Sequence, residues 1–183
     1  MTSPRDRDLF GQEIPEATPP LTRWLQRRDA ATFELRRARA VYMKSIRPHG
    51  GFLLRPESCF VLEDAEESFL TGADLATIIL AQAFMEHIVQ DYVIGMDRPD
   101  IARRGLRAMI VFIRRKEPRH RYLLDLLDEV HRFRNPFMHL QPFDDPACFS
   151  RRILTEGRPP EEILETEARR ALQVMYELAA YRW

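Results

Sequence analysis

Apolar positions recur with a period near 3.6 along most of this chain, which marks helices rather than strands. Leu123, Leu126, Leu127 and Val130 follow i, i+3, i+4, i+7 spacing, the buried stripe of a helix over 120–134. Continuing that stripe by four residues reaches Arg134, so a cation arrives at the edge of the core face. Pro136 disfavours helix for the residue before it and suits the first position of a new one, with Asn135 as its N-cap. The pattern predicts a helix ending near Arg134 and a short second helix after Asn135. Arg134, Asn135 and His139 are then gathered at one junction.

The stretch Leu75–Ile94 is apolar nearly all round, with Asp74 expected as its N-cap and Gly95 as its stop. Such a helix is central in a bundle, or is covered on its second side by a partner subunit. Its polar residues Gln82, Glu86, His87, Gln90 and Asp91 argue against a membrane span. Three of them, Gln82, Glu86 and Gln90, form one stripe at i, i+4, i+8. Further helices are expected over 22–47, 99–115 and 161–180. Gly50-Gly51 and Pro56 predict a long loop insertion over 48–64, with Phe52-Leu53-Leu54 and Phe60-Val61-Leu62 as a short hairpin or an apolar flap. Residues 143–160 read as irregular. Residues 1–20 hold four of the 13 prolines and predict a flexible N-terminal arm. The expected fold is all-α: an up-and-down bundle of about five helices, with one domain over 21–183.

Composition adds limits. With 183 residues, 45% of them hydrophobic, the chain can bury a core without metals or disulfides. The 28 basic and 28 acidic residues cancel, so attraction to nucleic acid must come from local patches. The basic residues are arginines apart from Lys44 and Lys116. That bias fits a GC-rich coding sequence, and equally phosphate recognition by the guanidinium fork. On the first helix Arg27, Arg28, Arg36, Arg37 and Arg39 form a solvated face or, for the first four, an RNA-binding track. Cys59 and Cys148 have no CxxC spacing and no secretory signal accompanies them, which points to a cytoplasmic protein. No Walker loop, GxSxG or dinucleotide-binding glycine pattern is present. His87, His131 and His139 with Glu86 are a conceivable metal set, but no HxxxH pair exists and Pro118 interrupts the one ExxH spacing. No metal and no cofactor is expected. His49 and His120 read as surface residues.

The run Arg134-Asn135-Pro136-Phe137-Met138-His139 resembles the RNxxxH form of the arginine–histidine motif of HEPN domains. The resemblance covers that motif, the helix before it and the helix over 74–94. It implies an all-α bundle and a metal-independent endoribonuclease of a toxin–antitoxin or anti-phage defence system. His139 would then move protons, because imidazole titrates near neutrality. Arg134 would hold phosphate oxygens by its fork, Asn135 would orient the histidine or the phosphate, and Glu86 would face the pair. RNA as substrate, a two-fold homodimer pooling both motifs, and an antitoxin or nucleotidyltransferase partner are implied too. Other members of the family are catalytically silent modules that bind nucleotide or protein. The residues alone also fit a structural role. Arg134 would pair with Asp128, Glu129 or Glu86, Asn135 would cap and His139 would pack on the turn. A helical interaction domain that assembles through its long apolar helix is a third reading.

Overall fold

The computed structural model describes residues 19–52 and 54–181. Most of the expected arm, residues 1–18, and Leu53 lie outside the described residues. The elements are α1 (Pro19–Ile46), α2 (Pro56–Thr71), α3 (Asp74–Gly95), α4 (Pro99–Ala102), α5 (Leu106–Lys116), α6 (Arg121–Met138), α7 (Phe149–Glu156) and α8 (Pro160–Ala180), with a 3-10 turn over Pro118–His120 before α6. The described residues are all-α and contain no strand, but they form eight α-helices where about five were expected.

Three sequence expectations are corrected here. The 48–64 stretch is not a loop throughout, because α2 occupies it from Pro56 onward. Pro56 is the first residue of that helix, where its missing N–H costs nothing. Ser58, Leu62, Ala65 and Phe69 form its buried stripe. No strand forms there among the described residues; Phe52 and Leu54 pack against the core from the remaining loop. The single helix expected over 99–115 is split into α4 and α5 at Gly105, whose φ of 83° and ψ of 171° suit glycine and strain other residues. Residues 143–160 are not irregular throughout: α7 forms within them and stops at Gly157, which is left-handed. Its Arg152 reaches the buried Glu167 of α8 at 2.6 Å, and Phe149 stacks on Phe137 at 4.8 Å between ring centroids.

α3 is the central element. It packs most extensively on α2 and α8, and also on α4, α5 and α6. Gly72 in the left-handed conformation ends α2, with the amides of Gly72 and Ala73 returning to Phe69 O and Ser68 O. The two-residue connection Gly72-Ala73 folds α3 back on α2. Ile78, Phe84 and Met85 are fully buried, each contributing roughly 1.5–3 kcal/mol relative to exposure. The chain's own helices cover most of the apolar surface of α3, with Ile94 left 39% exposed near its end. No helix among the described residues is long and apolar enough to cross a membrane.

Two polar residues are buried against expectation. Arg39, expected on the solvated face of α1, is 2% exposed. It donates to Phe69 O at 3.0 Å and to Asp74 Oδ2 at 3.0 Å. Asp74 is therefore not the N-cap of α3: Ala73 holds that position, and the Asp74 carboxylate is turned to Arg39. His120, expected at the surface, is 1% exposed. Its Nδ1 lies 3.1 Å from the Tyr181 hydroxyl and its Nε2 3.1 Å from the Tyr92 hydroxyl. Burial, and then the nearby Arg119, lower its pKa from the ordinary 6.5, with Glu117 opposing.

A pH dependence of stability follows. Just below pH 6.5 the unfolded chain binds a proton at this histidine that the folded chain resists, so stability falls as the pH drops through that window. Urea denaturation at about pH 7.5 and pH 5.5 should show the lower midpoint at the acidic value, with the gap narrowed in His120→Gln. An unchanged gap in that variant would remove His120 from the account.

Candidate functional site

The end of α6 differs from the expected junction. The helix runs through Asn135 and Pro136 to Met138 without a second helix. Pro136 sits in the last turn, where the backbone bond it forfeits is one of the few remaining. His139 N–H still closes the helix on Asn135 O at 3.0 Å. Asn135 is thus a helical residue rather than a cap, and no fresh helix N-terminus is available there to bind an anion. His139 follows in extended conformation (φ −136°, ψ 120°) and is exposed. Arg134 is half-buried, as its place at the end of the core stripe predicts.

The carboxylates that could neutralise Arg134 are largely engaged elsewhere. Glu129 pairs with Arg170 of α8 at 2.9 Å. Asp128 and Asp125 both accept from Arg114 of α5, each at 2.6 Å. Glu86 makes no side-chain hydrogen bond or ion pair among the described residues, and neither does Arg134. A purely structural role for Arg134 as the partner of Asp128 or Glu129 is therefore not what the fold uses.

What the fold does bring together is centred on His131, which sequence reasoning had placed only in a conceivable metal set. Its Nδ1 lies 3.2 Å from Nε2 of Gln82 on α3. Gln82 is buried, and its amide oxygen has no hydrogen-bond partner among the described residues. Burial lowers the pKa of His131 from 6.5, the guanidinium of Arg134 lowers it further, and Asp128 and Glu86 pull the other way. Nδ1 of the ring accepts from the Gln82 amide N–H, which leaves the ring's own proton on Nε2. Glu86 and Arg134 thus act on one imidazole from two helices. The signal was present in the sequence: His131 precedes Asn135 by four residues, and Gln82 precedes Glu86 by four, so each shares a helix face with a residue already singled out.

His131 and Asn135 line a cleft between α5 and α6 of about 580 Å³, with Arg107, Arg114, Asp128 and Arg132. Arg134 and His139 are not in that lining; they lie at the same end of α6, one on the core edge and one beyond the helix. No contact joins His139 to Arg134 or Glu86 among the described residues. The histidines of the conceivable metal set are not gathered either, since His87 Nδ1 lies 3.3 Å from Ser58 Oγ on α2. No group of three or more metal-ligating side chains occurs among the described residues.

Of the four α1 arginines expected to track RNA, Arg27, Arg28 and Arg37 are exposed and Arg36 is half-buried, and three of the four are engaged locally. Arg28 lies over the Trp24 ring at 5.4 Å, Arg36 donates to Asp29 O at 3.4 Å, and Arg37 is 3.6 Å from Glu34. Arg27 has no ion pair among the described residues.

Comparison with known proteins returns no matching family model, no matching curated protein and no matching solved structure.

Proposed function

We propose that the chain is a HEPN-like, metal-independent endoribonuclease of the toxin–antitoxin or anti-phage defence type. The observation that carries the reading is the Arg134 guanidinium, left without a carboxylate while Asp128 and Glu129 are paired elsewhere. A half-buried cation held without a partner is prepared for an anion. RNA cleavage without a metal must take a proton from the 2′-hydroxyl, return one to the 5′-oxygen and offset charge on phosphorus. Arg134 offsets the charge and His139 moves a proton at the end of α6, while Asn135 donates to an adjacent phosphate held in the cleft. His131, held at Nδ1 by the Gln82 amide, offers its Nε2–H as a further donor from α6. Glu86 tunes it from α3.

A homodimer belongs to this proposal, on different grounds from α3. Met138, Leu140 and Phe143 flank His139 and are all exposed. A second copy seated there would cover them and bring its own motif beside the first. Light scattering should then give about twice the 21.6 kDa chain mass, and Leu140→Asp with Phe143→Asp should return it to the chain mass. A wild type that scatters as a monomer at micromolar concentration would remove the dimer from the proposal.

The proposal as a whole is tested in cells. Induced expression of wild type should arrest growth, and His139→Ala should relieve the arrest at equal protein level. A nucleotidyltransferase or antitoxin partner would relieve it too. Equal arrest by both forms would count against this site.

A further inference from the structure

We propose that arginines lining two adjoining hollows on α5 and α6 form the track along which a single RNA strand reaches the Asn135 end of α6, next to Arg134. The inference rests on the ribonuclease reading for the identity of the polyanion. The first hollow is the 580 Å³ cleft holding His131 and Asn135. The second, about 540 Å³, is lined by Arg104, Arg107, Val111, Phe112 and Arg115. Both are bounded by Arg107 and Val111, so they meet along one ridge of α5. Arg104 and Arg115 stand on one side of that ridge, Arg107 on the ridge itself and Arg132 on the other side.

These four arginines are exposed, and none has an ion pair among the described residues. Their neighbours differ. Arg98 is held by Asp100 at 2.8 Å, Arg119 by Glu117 at 3.1 Å, and Arg114 by two aspartates. In a chain whose charges cancel overall, a strip of unpaired cations beside a cleft is a local positive field. Of Arg27, Arg28, Arg36 and Arg37 on α1, by contrast, the last three already have local partners. The concave, cationic strip suits a phosphate backbone. Val111, 43% exposed on the ridge, gives bases an apolar surface. A folded protein partner would need a wider apolar centre than this ridge offers.

The test is RNA binding against salt, read by anisotropy of a labelled single strand. It uses full-length protein carrying His139→Ala, so that the probe survives. The strip variant carries Arg104→Gln, Arg107→Gln, Arg115→Gln and Arg132→Gln. The comparison variant carries Arg27→Gln, Arg28→Gln, Arg36→Gln and Arg37→Gln. Melting curves accompany both. Each lost phosphate contact should remove about 0.7 from the slope of log affinity against log salt. The strip variant should therefore lose roughly two to three in slope and bind at least about tenfold more weakly at 0.1 M salt, with its melting temperature kept. The α1 variant should change less. Parental slope and affinity in the strip variant, or a larger loss in the α1 variant, would overturn the track while leaving the ribonuclease reading in place. A parent that binds no RNA would overturn both.

Discussion

Arg134→Ala and His139→Ala are each expected to lower RNA cleavage by roughly 100-fold or more while leaving the fold in place. The size follows from the roles. A general acid or base is worth orders of magnitude in a proton-transfer step, and so is a charge clamp aimed at the phosphorane-like transition state. The tolerance follows from position. His139 is exposed beyond the end of α6. Arg134 is half-buried with no ion pair among the described residues, so its truncation opens little space and strands no carboxylate. The stability cost should be at most about 1–2 kcal/mol for either. Glu86→Gln should act more mildly, since Glu86 reaches His131 only through space. The check is cleavage rate and melting temperature on the same preparations. Two mutants that melt early, beside a wild type that never cleaves, would make these residues structural.

The second large effect belongs to Arg39. Arg39→Ala should destabilise the fold by about 3–5 kcal/mol, because Asp74 would keep its charge at a site 13% exposed with no cation facing it. For a chain of this size that is roughly 10 °C or more in melting temperature. Asp74→Ala should cost less, since Arg39 would keep the Phe69 carbonyl at 3.0 Å and Glu165 at 3.8 Å. The double change Arg39→Met with Asp74→Leu should lose much less than the sum of the two singles, because both charges leave together. Wild-type melting in Arg39→Ala would show that the pair holds nothing.

The contrast between these two sites shows what was legible in the sequence. Helix periodicity located α3, α6 and α8 because their partners lie within a few residues and repeat. It also placed Arg134 at the core edge. It failed where the deciding contact is distant. Arg39 looked like its solvated neighbours because its carboxylate lies 35 residues away. His120, between Arg119 and Arg121, looked like surface because Tyr92 and Tyr181 come from two other parts of the chain. Proline misled twice in the same way, read as a break where the structure has helix. Pro56 starts a helix where a loop was expected, and Pro136 ends none where a break was expected, since in the last turn it disrupts little. The site was legible as a motif but not as a neighbourhood. His131 takes its meaning from Gln82 and Glu86, and only the packing of α6 on α3 makes them adjacent.

The central claim is that this chain's own side chains drive attack by the 2′-hydroxyl, without a metal. The most direct test is to incubate the purified wild type with single-stranded RNA in excess EDTA and identify the new ends. The account predicts cleavage undiminished by the chelator, 2′,3′-cyclic phosphate and 5′-hydroxyl ends, and none at a 2′-deoxy position. Cleavage abolished by EDTA, 5′-phosphate ends, or no turnover by well-folded protein would contradict it.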